Sequence, residues 1–106
     1  MNPAPSLYSN MYHVYLLKGK KNDIFYIGYT KNIKQRLEEH NSGLVGYTKK
    51  YVPWELIYVE SFLSLEDSKI REKSLKHFGK AYTQLKLRVK NSLDKVKTLN
   101  KREGAG

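Results

Sequence analysis

Two short apolar, aromatic runs separated by five polar residues constrain this chain more than any other feature. Residues 11–18 read Met-Tyr-His-Val-Tyr-Leu-Leu-Lys, residues 24–29 read Ile-Phe-Tyr-Ile-Gly-Tyr, and Gly19-Lys20-Lys21-Asn22-Asp23 lies between them. Aromatic and β-branched residues favour extended backbone, and a polar run holding Gly and Asp turns the chain. The pattern predicts an antiparallel hairpin. A lone hairpin is marginal in water, so the rest of the chain must cover it. Residues 54–62, Trp-Glu-Leu-Ile-Tyr-Val-Glu-Ser-Phe, read as a third strand.

Helices fill the gaps. Asn32 is a candidate N-cap with Gln35 three residues on, and Gly43 is placed to stop the helix in a left-handed turn. On this helix Ile33 and Leu37 form an apolar pair, with Arg36 and His40 one step round. Residues 44–53 read as a loop. Ser64 then caps a second helix with Asp67 at the capping-box position, and Leu65, Leu75 and Phe78 mark its buried side. Gly79 ends or bends it. A last helix from Lys80 onward carries the stripe Leu85, Val89, Leu93 and Val96, with Lys86, Lys90, Lys97 and Lys101 largely off it. The order strand, strand, helix, strand, helix, helix is an α+β fold, a sandwich on an antiparallel sheet.

The chain of 106 residues is one domain by length, with residues 1–10 a disordered lead-in and residues 104–106 a disordered tail. It has no cysteine, which rules out disulfides, thiolate zinc sites and cysteine nucleophiles, and fits a cytoplasmic setting. No window is apolar enough to span a bilayer, and residues 1–10 do not read as a secretion signal. Twenty Lys and Arg against 10 Asp and Glu give a net charge of +10. Such a balance favours a polyanion, either nucleic acid or an anionic membrane surface. Nine tyrosines, each a possible stacking face, put nucleic acid ahead.

Several residues fall into a chemical pattern. With the hairpin loop centred between Lys20 and Lys21, Tyr15 and Tyr26 face each other on one side of the sheet, and Gly28 lies on that same side. A glycine weakens a strand unless something must approach its backbone there. Arg36 offers a planar fork suited to phosphate, and His40 can carry a proton near neutral pH. On a helical wheel Glu72 falls between Leu65 and Leu75, and a carboxylate on an apolar side needs a partner. A divalent metal would supply one, and a salt bridge to a nearby Lys or Arg would serve equally.

Tyr15, Tyr26-Ile27-Gly28, Arg36, His40 and Glu72, in this order and spacing, resemble the GIY-YIG nuclease superfamily, and in particular its small stand-alone bacterial members. The similarity runs over residues 11–87, through Phe25-Tyr26-Ile27-Gly28-Tyr29-Thr30, Arg36-Leu37-Glu38-Glu39-His40-Asn41-Ser42-Gly43, Pro53-Trp54-Glu55-Leu56 and Arg71-Glu72-Lys73. Residues 88–103 would be a basic helical extension. The first motif keeps only its tyrosine, as His13-Val14-Tyr15, and Asn91 is the one candidate for an asparagine that members often carry further on. The resemblance implies a small three-stranded antiparallel sheet flanked by helices. It also implies hydrolysis of DNA phosphodiesters with Mg²⁺ or Mn²⁺. Glu72 would hold the metal, Arg36 the phosphate, Tyr15 or Tyr26 would act as base, and His40 would relay the proton.

Lys49, Lys50, Lys86 and Lys90 are candidate DNA-backbone contacts. The expected partner is DNA, with RNA open, no small-molecule cofactor, no membrane and no legible oligomeric state. Two other readings compete: a non-catalytic module that keeps the fold and binds DNA or a repair partner, and a basic protein of the membrane surface or ribosome.

Overall fold

Residues 14–19 form an unbroken buried run on the first strand. A strand buried on both faces must sit mid-sheet with cover on each side. A computed structural model, which describes residues 10–105 and side chains as far as residue 97, has that arrangement. Strands β1 (Tyr12–Gly19), β2 (Phe25–Thr30) and β3 (Trp54–Phe62) form one antiparallel sheet in the order β2-β1-β3. Helices α1 (Ile33–Asn41), α2 (Leu65–His77), α3 (Gly79–Arg88) and α4 (Lys90–Ala105) cover it, with a 3₁₀ turn over Thr48–Tyr51. The fold is α+β, as the sequence predicts.

Alternation along β1 divides the core. Val14 and Leu16 pack with Ile27, Leu75, Leu85 and Val89 beneath α2, α3 and the start of α4. Tyr15 and Leu17 turn the other way, packing with Trp54, Tyr26 and the Ile33–Leu37 pair of α1. The caps form where the sequence places them. The Asn32 side chain accepts from the Gln35 amide at 3.1 Å, and the Ser64 hydroxyl accepts from the Asp67 amide at 3.3 Å. Gly43 takes φ +76° just past α1, a conformation open to a residue without Cβ.

Three expectations change. The hairpin register is shifted: Tyr15 pairs with Gly28 and Leu17 with Tyr26, so the two tyrosines are diagonal rather than opposite. The loop itself explains the shift. The Lys18 amine bonds the Gly19 and Asn22 carbonyls at 2.9 and 2.7 Å, and the Asn22 side chain accepts from the Ile24 amide at 2.9 Å. Phe78 is 61% exposed, because α2 ends at His77 and Phe78 is extended, facing away from the helix's buried side. The single last helix is two, broken at Val89. Leu85, Val89 and Val96 are buried as expected, Leu93 partly so. The backbone of α4 continues through Ala105. The lead-in over residues 1–9, the side chain of Lys101 and Gly106 lie outside the described residues.

Candidate active site

The polar centre of the molecule lies on the α1 side of the sheet. Tyr15 sits on the central strand and is 3% exposed. Its neighbour across the pair is Gly28, and a Cβ built there would lie 2.5 Å from the Tyr15 hydroxyl oxygen. The close approach inferred for Gly28 is therefore made by this phenol. Tyr26, diagonal to it, has its ring centroid 6.3 Å from that of Tyr15.

α1 brings in Arg36 and His40, one turn apart. His40 is fully buried. Its Nε2 lies 2.8 Å from the Tyr15 hydroxyl, its Nδ1 lies 2.7 Å from Thr48 Oγ1, and its ring stands edge-on to Tyr26 at 5.0 Å. Arg36 is half-buried, bonded to Glu39 at 3.4 Å, and its guanidinium also reaches Tyr15. α2 brings Glu72 from the opposite layer, with its side chain 19% exposed and its charge felt at Tyr15. Lys76, one turn on, lies 3.6 Å from Glu72 and 5.7 Å from the Tyr26 ring. The carboxylate on the inner side of α2 therefore has the salt-bridge partner weighed above.

Electrostatics set the resting protonation. Burial pushes the Tyr15 hydroxyl up to about 12 and outweighs the pull of Arg36; Tyr26 and Glu72 push the same way as burial. Arg36 does lower the Tyr15 pKa, but the ring is too deeply desolvated for that pull to win. Burial, and then the Arg36 charge, hold His40 down to about 4 against the opposing influence of Glu39. At neutral pH the pair is a neutral phenol against a neutral imidazole. Burial opposes the Arg36 charge, but hydrogen bonding to Tyr15 and the nearby Tyr15, Glu39 and Tyr26 keep its pKa above the ordinary value.

The other candidates sit further out. Lys49 and Lys50 are exposed on the 3₁₀ turn that carries Thr48. The Lys86 amine lies over the Tyr82 and Phe25 rings at 4.6 and 5.8 Å. Lys90 and Asn91 are exposed on α4.

Three residues that sequence reasoning passed over belong to the site. Lys76 stands at the i+4 position from Glu72, a spacing that could have shown it. Thr48, fully buried, sits in a segment without periodicity, and nothing local marks it. Tyr47, 58% exposed, stacks on Tyr26 at 6.3 Å.

The family model for the GIY-YIG catalytic domain matches residues 11–90. A UPF0213 protein of Staphylococcus haemolyticus is 39% identical over 70 residues, covering 65% of this chain and 84% of that protein. A UPF0213 protein of Halobacterium salinarum is 35% identical over 72 residues, covering 67% of this chain and 92% of that protein. The solution NMR structure of a UPF0213 protein from Bacillus halodurans is 29% identical, covering 74% of this chain and 86% of that one, with a TM-score of 0.47.

Proposed function

The chain belongs to the GIY-YIG catalytic-domain family, and from that premise we propose that it is a divalent-metal-dependent endonuclease hydrolysing DNA phosphodiesters with little sequence preference, branched or damaged strands included. The observation that carries this reading is the convergence of Tyr15, Tyr26, Arg36, His40 and Glu72 from β1, β2, α1 and α2. A structural ion pair explains Glu72 alone. It does not explain a buried Tyr–His pair flanked by an arginine and a carboxylate.

Glu72 fits a divalent cation. Its ion pair among the described residues is with Lys76 at 3.6 Å, long for a hydrogen bond, so its oxygens keep lone pairs for a hard cation. Mg²⁺ takes one or two carboxylates and completes its shell with water and substrate oxygens. When bound, the metal would stabilise charge on the phosphate and on the leaving oxygen. Arg36 would grip the non-bridging oxygens and exchange its 3.4 Å contact with Glu39 for them. Tyr15, bonded to His40, is the tyrosine with a route for the proton: water gives one to the phenol as the phenol gives one to His40 Nε2. The attacking oxygen bonds to phosphorus and the P–O bond to the leaving strand breaks. Tyr26 stands beside this pair and would orient water or phosphate.

Incubation of the protein with supercoiled plasmid and with branched oligonucleotides, in Mg²⁺, in Mn²⁺ and in EDTA, tests the reading. Cutting that depends on the metal supports it. DNA bound but never cut, on any substrate, would replace it with the non-catalytic binding module.

A further inference from the structure

Thr48 has no part in the chemistry so far, yet it is fully buried and holds the far side of His40. Its hydroxyl has a single proton and lies 2.7 Å from His40 Nδ1 and 3.3 Å from the Val45 carbonyl. Two arrangements of protons are conceivable. In the first, Thr48 donates to Val45 O, His40 donates from Nδ1 to Thr48, and the bare Nε2 accepts from Tyr15. In the second, Thr48 donates to Nδ1, and Nε2–H donates to the Tyr15 oxygen.

The second arrangement fails at Tyr15. There the phenol oxygen takes the Nε2–H bond, so its own proton would need another acceptor. Among the described residues the one acceptor within reach of that proton is His40 Nε2. A buried hydroxyl pointing nowhere is costly. In the first arrangement every proton is used, in one direction: Tyr15 to His40, His40 to Thr48, Thr48 to Val45. No buried side-chain nitrogen or oxygen among the described residues lacks a partner.

We infer that Thr48 is a positioning residue that holds His40 as its Nδ1–H tautomer and so keeps the Nε2 lone pair aimed at the Tyr15 hydroxyl. The inference rests on the nuclease reading only for its consequence in rate; the tautomer follows from geometry alone. When His40 takes the Tyr15 proton, the imidazolium still donates from Nδ1 to Thr48, so the acceptor is in place before the charge arrives. The threonine is itself fixed. Trp54 Nε1 donates to its carbonyl at 2.9 Å, and Asn41 clamps Trp54 through its amide nitrogen at 2.6 Å and its carbonyl at 3.2 Å.

The test compares the wild type with Thr48→Val and Thr48→Ser, each with ¹⁵N-labelled histidine. Valine keeps the shape and removes the acceptor. The Val45 carbonyl keeps its bond from the Lys49 amide at 3.0 Å, so no backbone group is orphaned. Long-range ¹H–¹⁵N spectra should show His40 as the Nδ1–H tautomer in the wild type and in Thr48→Ser, and shifted toward Nε2–H in Thr48→Val. Cleavage kcat should fall about 10- to 100-fold in Thr48→Val with KM for DNA unchanged, and recover in Thr48→Ser, the size of effect seen when a histidine's outer partner is removed. An Nε2–H tautomer in the wild type overturns the inference, even if Thr48→Val does not fold. So does a Thr48→Val protein whose tautomer and kcat match the wild type. The spectra report whether or not DNA is cut, so a failure of the nuclease reading is visible separately.

Discussion

Gly28 and Tyr15 are one structural decision made at two positions. The phenol occupies the space where any other residue at 28 would place its Cβ, 2.5 Å from the hydroxyl oxygen. Gly28→Ala should therefore displace the ring, destabilise the protein by about 1–3 kcal/mol and slow cleavage about 10²-fold. Thermal unfolding and single-turnover rates would check both. The Tyr15–His40 pair also predicts how stability follows pH. His40 titrates near 4 when folded and near its ordinary value of 6.5 when unfolded, so the unfolded chain binds more protons between these values. Stability should fall as pH drops from about 6.5 towards 4, by up to ~3 kcal/mol for this group. Tyr15 acts in the opposite sense: its proton is held to about 12, so stability should fall as pH rises from about 10 through 12. Urea titrations across pH would show the two slopes, and His40→Gln should flatten the acidic one. The sequence made the residue types of the site legible. It could not show that Tyr15 would be desolvated beyond the reach of Arg36, because burial is a property of the assembled layers.

Local signals were the most readable at the level of elements. Asn32, Ser64 and Gly43 each act within a few residues, and each does what its side chain, or lack of one, dictates. Non-local features were the ones hidden. The hairpin register depends on Lys18 turning inward to bond the loop carbonyls, which no alternation pattern encodes. The break at Val89 has neither Gly nor Pro to announce it. It allows Leu85 and Val89 to pack under the sheet while Val96 lines a groove shared with Leu56 and Ile57 of β3. The segment between α1 and β3 is held by Asn41 and Trp54 rather than by a helix or strand ladder. Asn41→Ala should cost about 1–3 kcal/mol, since it leaves both backbone groups of Trp54 short of a partner. It should also slow cleavage by loosening Thr48. If stability falls while the rate per folded molecule stays at the wild-type value, Asn41 serves the fold alone.

Taken whole, the molecule is a strongly basic body with one buried polar centre, and no helix among the described residues is long and apolar enough to cross a membrane. Lysines at 49, 50, 86 and 90 sit on the 3₁₀ turn, α3 and α4, a distribution suited to phosphate contacts at several points. DNA affinity should therefore fall linearly on a log–log plot against salt, by roughly 0.9 per phosphate contact, and Lys90→Ala should make the slope shallower by about one. An affinity that barely changes between low and moderate salt would contradict that picture of the surface. The central claim is that the cluster around Tyr15 is a catalytic site. Its most direct test is the single-turnover cleavage rate of the wild type beside Glu72→Ala and Arg36→Ala, in Mg²⁺ or Mn²⁺. The expected result is metal-dependent cutting by the wild type, a loss of roughly 10²- to 10³-fold for Arg36→Ala and no cutting by Glu72→Ala. Equal rates for all three proteins would contradict it.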